Sequence, residues 1–255
     1  MLTFGELFAG IGGISLGFER AGMIPKWHVE LDDYATIILE KHWPHVARYR
    51  DVRECGRHNL EPVDVIAGGF PCQDVSLAGK RQGLEGERTT LWEEFARIIG
   101  ELRPRWVVAE NVPGLLSSDD GRFFGNVLRD LAALGYDAEW DCIPAAAVGA
   151  PHIRYRVFVV AYPNGIGREV LRQSPRKQND CDLEATGYVK AEWCEDWGFV
   201  TMAPRYCLER LWAPQPGVQR VADGVPHVVD RLRCLGNAVV PQVAEYIGRL
   251  IVEAS

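Results

Sequence analysis

From residue 3 to about residue 162 the chain alternates short apolar runs with stretches whose apolar residues recur at helical spacing, and this alternation limits the fold more than any other feature. Strands are predicted at Thr3–Phe8, Pro25–Val29, Asp64–Ala67, Arg105–Ala109, Ala138–Ile143 and Arg156–Ala161. Helices are predicted between them at Ile14–Ala21, Asp33–His42, Leu91–Leu102 and Arg122–Leu134, the last with Phe123, Val127, Leu128, Leu131 and Leu134 on one face. Strands that alternate with helices imply an α/β fold built on a doubly wound, mostly parallel sheet. The pattern breaks near Tyr162-Pro163-Asn164-Gly165, and the sequence stays irregular to about residue 225, rich in Trp, Arg, Pro and Gly. A closing helix is predicted over Val239–Ile251, with Pro241 tolerated in its first turn. The expected organisation is a core of residues 1–162 plus 231–255 and a small irregular region of residues 163–230.

Composition narrows the class. With 255 residues, 47% hydrophobic and 25% charged, the chain can bury one large core and is not of disordered composition. No apolar run is long enough to cross a bilayer, and Met1-Leu2-Thr3-Phe4 does not open a leader segment, so a cytoplasmic location without a membrane partner is expected. The seven cysteines form no CxxC pair; free thiols and no metal site are expected. Nothing in the chain calls for an oligomer, so a monomer is expected. A net charge of −7 does not exclude nucleic acid, which needs a local positive face rather than a positive total. The charges are uneven: Arg168, Arg172, Arg176 and Lys177 stand against Glu169 alone, whereas Asp180, Asp182, Glu184, Glu192, Glu195 and Asp196 stand against Lys190 alone.

Leu7-Phe8-Ala9-Gly10-Ile11-Gly12-Gly13 lies between a predicted strand and a predicted helix. Glycines there let backbone approach a ligand, and a helix N-terminus offers free N–H groups. Glu30 ends the next strand, where doubly wound folds place a carboxylate against ribose hydroxyls, and Asp51 follows in position to reach an adenine edge. A turn of this kind fits a dinucleotide, S-adenosylmethionine, or tight strand–helix packing with no ligand. Gly-x-Gly-Gly is not the full dinucleotide fingerprint, which disfavours NAD.

Chemistry-bearing residues collect at the same end of the predicted sheet. Cys72 follows a predicted strand in Gly68-Gly69-Phe70-Pro71-Cys72-Gln73, and Glu110 follows another in Val107-Val108-Ala109-Glu110-Asn111. Pro151-His152-Ile153-Arg154-Tyr155-Arg156 brings two guanidiniums to a strand start, and period-two alternation points both the same way. Singly, a Cys is usually a small buried hydrophobe, a strand-end Glu a solvated group and an Arg pair a surface feature. Together, beside a glycine-rich turn, they make a reaction centre.

Phe8-Ala9-Gly10-Ile11-Gly12-Gly13, Pro71-Cys72-Gln73, Glu110-Asn111-Val112, Arg154-x-Arg156 and Gly236-Asn237-Ala238-Val239-Val240-Pro241 resemble, in order, the motifs of the DNA cytosine-C5 methyltransferase family. The likeness covers residue 3 to about 162 and about 231 to 250, and it is similar to compact phage or prophage members. It implies the S-adenosylmethionine-dependent methyltransferase fold, with residues 163–230 as the target-recognition region. The implied activity is methyl transfer from S-adenosylmethionine, leaving S-adenosylhomocysteine, to cytosine C5 in double-stranded DNA. By resemblance Cys72 attacks C6, Glu110 donates to N3, Arg156 contacts the base O2, and Arg154 positions the reacting groups. The implied cofactor contacts are Phe8, Gly10, Ile11, Gly12, Gly13, Glu30, Leu31, Asp51, Val52, Leu91, Asn237 and Val239. Gln73, Ser76, Lys80, Arg81 and Arg88 fall in what resembles the family's mobile catalytic loop, as DNA contacts or as ordinary loop charges. The target atoms are hidden in a stacked duplex, so the cytosine must be flipped out. A cognate restriction enzyme is a possible partner outside this chain.

The sequence departs from the family pattern in three places. Glu6 stands where Asp is usual, and His152 where Gln is usual. In the short recognition region no ninth motif is evident, Arg220 before Val221-Ala222-Asp223-Gly224 being the nearest candidate. A short region offers few side chains to read base edges, so a short or loosely read site is expected. Trp193, Trp197 and Trp212 suit the small core of that region better than base-stacking platforms. Three rivals stand beside this reading: a transfer-RNA cytosine methyltransferase of the same fold, an inactive nucleic-acid-binding homologue, and an NAD-dependent oxidoreductase. The last does not account for Pro-Cys-Gln or Glu-Asn-Val, and an inactive copy has no need of Cys72, Glu110 and both arginines.

Overall fold

The computed structural model describes residues 1–71, 90–164, 188–190, 202–204 and 228–255. Its core is a seven-stranded sheet of β1 (Thr3–Leu7), β2 (Ile24–Val29), β3 (Ala47–Tyr49), β4 (Val65–Gly69), β5 (Trp106–Asn111), β6 (Tyr136–Pro144) and β7 (Tyr155–Pro163), in the spatial order β3-β2-β1-β4-β5-β7-β6. The pairings from β3 across to β5 are parallel; β7 runs antiparallel to both β5 and β6. Interior parallel strands are covered on both faces and therefore read as continuous apolar runs, as Val65-Ile66-Ala67 and Trp106-Val107-Val108-Ala109 do.

Helices α1 (Gly13–Arg20), α2 (Asp33–His42), α3 (Thr90–Leu102) and α4 (Arg122–Ala133) occupy the predicted places within a residue at each end. Two more follow, α5 (Val228–Asn237) and α6 (Pro241–Ala254). On one face Ile14 and Phe18 of α1 join Val243, Ala244, Ile247 and Ile251 of α6 over Phe4, Val65, Trp106, Val108 and Phe158. On the other face Phe95, Ile98 and Ile99 of α3 and Val127 and Leu131 of α4 pack over Leu7, Trp27, Ile66, Val107 and Val159. Trp43, just past α2, and Leu39 make a small third cluster with Ala9 and Leu16.

The sequence reading missed β3, α5 and a short strand pair. β3 is a three-residue edge strand with one exposed and two half-buried residues, too short to show a period. α5 buries little of its described surface, chiefly Cys234, and so has no clear apolar face. Within the region expected to be irregular, Tyr188–Lys190 (β8) pairs antiparallel with Met202–Pro204 (β9).

The chain enters at β1, moves outward through β2 and β3, then returns to β4 on the other side of β1. This reversal opens a crevice at the carboxyl ends of β1 and β4, where open α/β sheets bind ligands.

Candidate active site

The two segments singled out in the sequence leave adjacent strands at that crevice, since Leu7 of β1 pairs with Gly68 of β4. The turn after β1 is wound by left-handed backbone at Phe8 (φ 52), Gly10 (φ 53) and Gly12 (φ 79). At Gly10 a Cβ would meet nothing, which leaves open space over the backbone. At Gly12 and Gly13 it would overlap the Trp43 ring and the Val239 carbonyl oxygen, so these two glycines serve close packing. Glu30 at the end of β2 accepts from Gly10 N (2.6 Å) through one oxygen and from Asp32 N (2.7 Å) through the other. Each oxygen keeps a lone pair for a ribose hydroxyl.

Asp51 accepts from Arg53 N and Nε, both at 3.0 Å, and the backbone bond holds its carboxyl below the usual carboxylate range. Leu31 is exposed, Leu91 is half-buried against the core and Asn237 is exposed at the end of α5. Val52 and Val239 are core residues, 4% and 8% exposed; a cofactor there would meet their backbone or edge rather than a free side chain. An open glycine turn, a carboxylate beside it and an exposed Leu31 fit a nucleoside-bearing cofactor.

Glu110 is 6% exposed, at the end of β5 opposite Gly69 of β4. A Cβ on Gly69 would lie 2.7 Å from Glu110 Oε2, so the glycine keeps clear the space the carboxyl fills. Arg156 Nε lies 3.0 Å from Glu110 Oε1, in a pair whose carboxyl is buried and whose guanidinium is half-buried. Burial pushes the Glu110 acid up to about 7 against the opposing pull of Arg156 and then Arg154. An acid there is part-protonated at neutral pH and able to donate a proton. Because β7 runs antiparallel to β5, its first residues reach the edge where β5 ends, which brings Arg156 to Glu110.

The arginine pair does not alternate along one strand as the sequence suggested. Arg154 precedes β7 with φ 31, and its Nη2 donates to the Gly236 carbonyl (2.6 Å) and the Ala238 carbonyl (2.7 Å). Those bonds tie the turn between α5 and α6 to the start of β7. Arg233 of α5 pairs with Asp32, which caps α2 through Ala35 N (2.9 Å). The closing segment is thus anchored on the Glu110 side and on the Glu30 side. His152 is largely exposed, and the partial loss of water around its ring, then the charge of Arg154, lowers its pKa.

Asn111, quoted in a motif but not singled out as a site residue, has a defined task. Its Nδ2 donates to the Phe70 carbonyl (2.9 Å) and its Oδ1 accepts from Val112 N (2.8 Å). Phe70 is buried with its ring 5.2 Å from that of Trp92. The chain therefore leaves β4 toward Pro71 from a fixed point. Cys72, Gln73, Ser76, Lys80, Arg81 and Arg88 lie outside the described residues, as do Arg220, Trp193, Trp197 and Trp212.

Comparison with known proteins decides the family. Residues 2–191 match the model of the C-5 cytosine-specific DNA methylases. The chain belongs to this family. It is 31% identical over 225 residues to the Bacillus subtilis type II methyltransferase M2.BsuMI, covering 83% of this chain and 57% of that protein. To the Escherichia coli type II methyltransferase M.Eco47II it is 38% identical over 180 residues, 68% of this chain and 42% of that one. The chain therefore spans about half the length of these relatives. A solved structure from E. coli, described as a DNA modification methyltransferase encoded within a prophage, superposes with a TM-score of 0.56 at 31% identity over 64% of this chain and 47% of that one. The Dnmt2 methyltransferase of Schizosaccharomyces pombe has the same TM-score at 19% identity over 72% of this chain and 58% of its own, a likeness of fold.

Proposed function

We propose that this chain transfers a methyl group from S-adenosylmethionine to C5 of a flipped-out cytosine in double-stranded DNA, through a covalent bond between Cys72 and C6. The observation that carries this reading is the pairing of half-buried Arg156 with buried Glu110, beside the fixed start of the Phe70-Pro71-Cys72 segment. C5 of cytosine is a poor nucleophile until something adds at C6. The Cys72 thiolate is the group suited to add there, and addition moves electrons toward N3. Glu110 in its acid form donates to N3, and burial favours the acid form. Arg156 holds that carboxyl in place and offers its remaining donors to the base O2. Arg154 is a positioning residue, acting through the carbonyls of Gly236 and Ala238.

The bound cofactor supplies the methyl group as an electrophile. Gly10, Glu30 and the exposed Leu31 would hold it, with Phe8, Ile11, Asp51 and Asn237 around them. Loss of the C5 proton and release of the thiol then restore the enzyme. Ser76, Lys80, Arg81 and Arg88 are assigned to phosphate contacts and loop closure, and residues 163–230 to choosing the target.

The test is incubation with labelled S-adenosylmethionine and duplex DNA containing 5-fluorocytosine. Fluorine at C5 blocks the last elimination, so the wild-type chain should be trapped on DNA. A Cys72→Ser variant that still forms the adduct would sink the mechanism. Transfer-RNA substrate assayed alongside separates this reading from its closest rival.

A further inference from the structure

Below the cofactor turn lies a polar group that the reaction does not use. Glu6 of β1, Ser15 of α1 and His28 of β2 are buried at 2%, 0% and 0% exposure, in a region otherwise lined by Phe4, Ile14 and Phe18. Glu6 and His28 are register partners across β1 and β2, so their side chains stand side by side on the α1 face. Ser15, in the first turn of α1, bridges them. Its N–H donates to Glu6 Oε2 (3.0 Å), its hydroxyl makes a short hydrogen bond with the same oxygen, and its Oγ lies 2.8 Å from His28 Nε2.

We propose that Glu6, Ser15 and His28 form one buried positioning unit that holds the glycine turn and the Glu30 strand in the shape the cofactor requires. This inference rests on the cofactor reading above. Glu6 stands two residues before Phe8, and His28 two before Glu30, so the unit joins the two strand ends that face the ligand. The turn above it places three left-handed residues within five, one of them Phe8. A bulky residue keeps such a conformation only where its surroundings over-determine it. From above, the Gly10–Glu30 bond fixes the turn; from below, the three-residue unit does.

The proton arrangement follows from the surroundings. Burial, with Glu30 adding to it, pushes the Glu6 acid up to about 8. Burial, then the charge of Arg48, takes His28 down to about 4. Both are uncharged at neutral pH. Ser15 Oγ donates to Glu6 Oε2 and lies against His28 Nε2, while His28 Nδ1 has no hydrogen-bond partner among the described residues.

The test is calorimetric titration of the full chain with S-adenosylhomocysteine. Ser15→Ala leaves buried Glu6 and His28 without their bridge, and affinity should drop about tenfold or more. Phe18→Leu, which loosens the same helix while keeping all three polar groups and their bonds, should bind within about twofold of wild type at a comparable loss in Tm. Equal affinity in Ser15→Ala and wild type would overturn the proposal, as would an equal loss in Phe18→Leu. Should Ser15→Ala not fold, the ring nitrogens of His28 in 15N-labelled wild-type protein serve instead. They should shift on saturation with S-adenosylhomocysteine while staying those of a neutral ring down to about pH 5. Ring signals that ignore the ligand would overturn the proposal. A wild-type chain that does not bind S-adenosylhomocysteine at all would remove the cofactor reading as well.

Discussion

Replacing Arg156 by methionine isolates the control of Glu110. The guanidinium lies 3.0 Å from the carboxylate, with both groups largely out of water. At an effective dielectric of about 20 and a charge separation of about 4 Å, the pair is worth roughly 4 kcal/mol, or about three pKa units. Arg154 stays nearby and water enters part of the vacated space, so a rise of about one to two units is expected. The sign is fixed by the chemistry. On the proposed mechanism the acid form of Glu110 is the active one, so activity declines as pH rises through its pKa, which burial pushes up to about 7 in the wild-type chain. Without Arg156 the acid form persists to higher pH. Single-turnover methyl transfer to duplex DNA, followed from pH 6 to 10, should show a lower maximum, because the base loses a contact, and an alkaline limb displaced upward. An alkaline limb that stays put or moves down would refute both the pairing and the role of Glu110 as acid.

Four further outcomes follow from the same geometry. Gly69→Ala places a methyl 2.7 Å from Glu110 Oε2, so the methylation rate should fall about tenfold or more while Tm moves by only a few degrees. Asn111→Ala leaves the Phe70 carbonyl and the Val112 amide unpaired, costing about 1–3 kcal/mol in chemical denaturation, and should slow capture on 5-fluorocytosine DNA. Glu110→Gln bears on stability: a carboxyl raised from 4.5 to about 7 makes the fold lose up to about 3 kcal/mol as pH rises through that window, and the Gln chain should show a flatter curve there in urea titrations. Arg154→Met frees the Gly236 and Ala238 carbonyls, so hydrogen exchange across Val228–Asn237 should accelerate well before that of β5.

What could be read from the sequence follows the physics of each part. Parallel strands buried on both faces announce themselves as apolar runs, and helices covering them carry a stripe at regular spacing; hence β1, β4, β5 and α1 to α4 were legible. β3 and α5 were not, because an edge strand of Ala47-Arg48-Tyr49 has no run, and α5 is held by Arg154 and Arg233 more than by an apolar face. Glu110 stands near the end of a strand, where the apolar run before it placed it. Its pKa was not legible, since it depends on how deeply β4 and β7 enclose it. The direction of Arg154 was not legible, because alternation was assumed where the backbone turns to φ 31 ahead of β7.

Ser15 and His28 show the remaining limit. Nothing in Gly13-Ile14-Ser15-Leu16 or Trp27-His28-Val29 marks a polar residue as partnered; each looks like an interruption in an apolar segment. Glu6 was noticed only as a departure from a motif. Yet three polar groups buried on neighbouring elements must satisfy one another, because the alternative is a cost of about 1–3 kcal/mol for each group left alone. The register of β1 on β2 sets Glu6 beside His28, and Ser15 in the first turn of α1 reaches both. Polar interruptions at matching register positions of adjacent strands, followed by a hydroxyl in the first turn of the intervening helix, are therefore a signal that sequence alone carries and that only strand pairing makes readable.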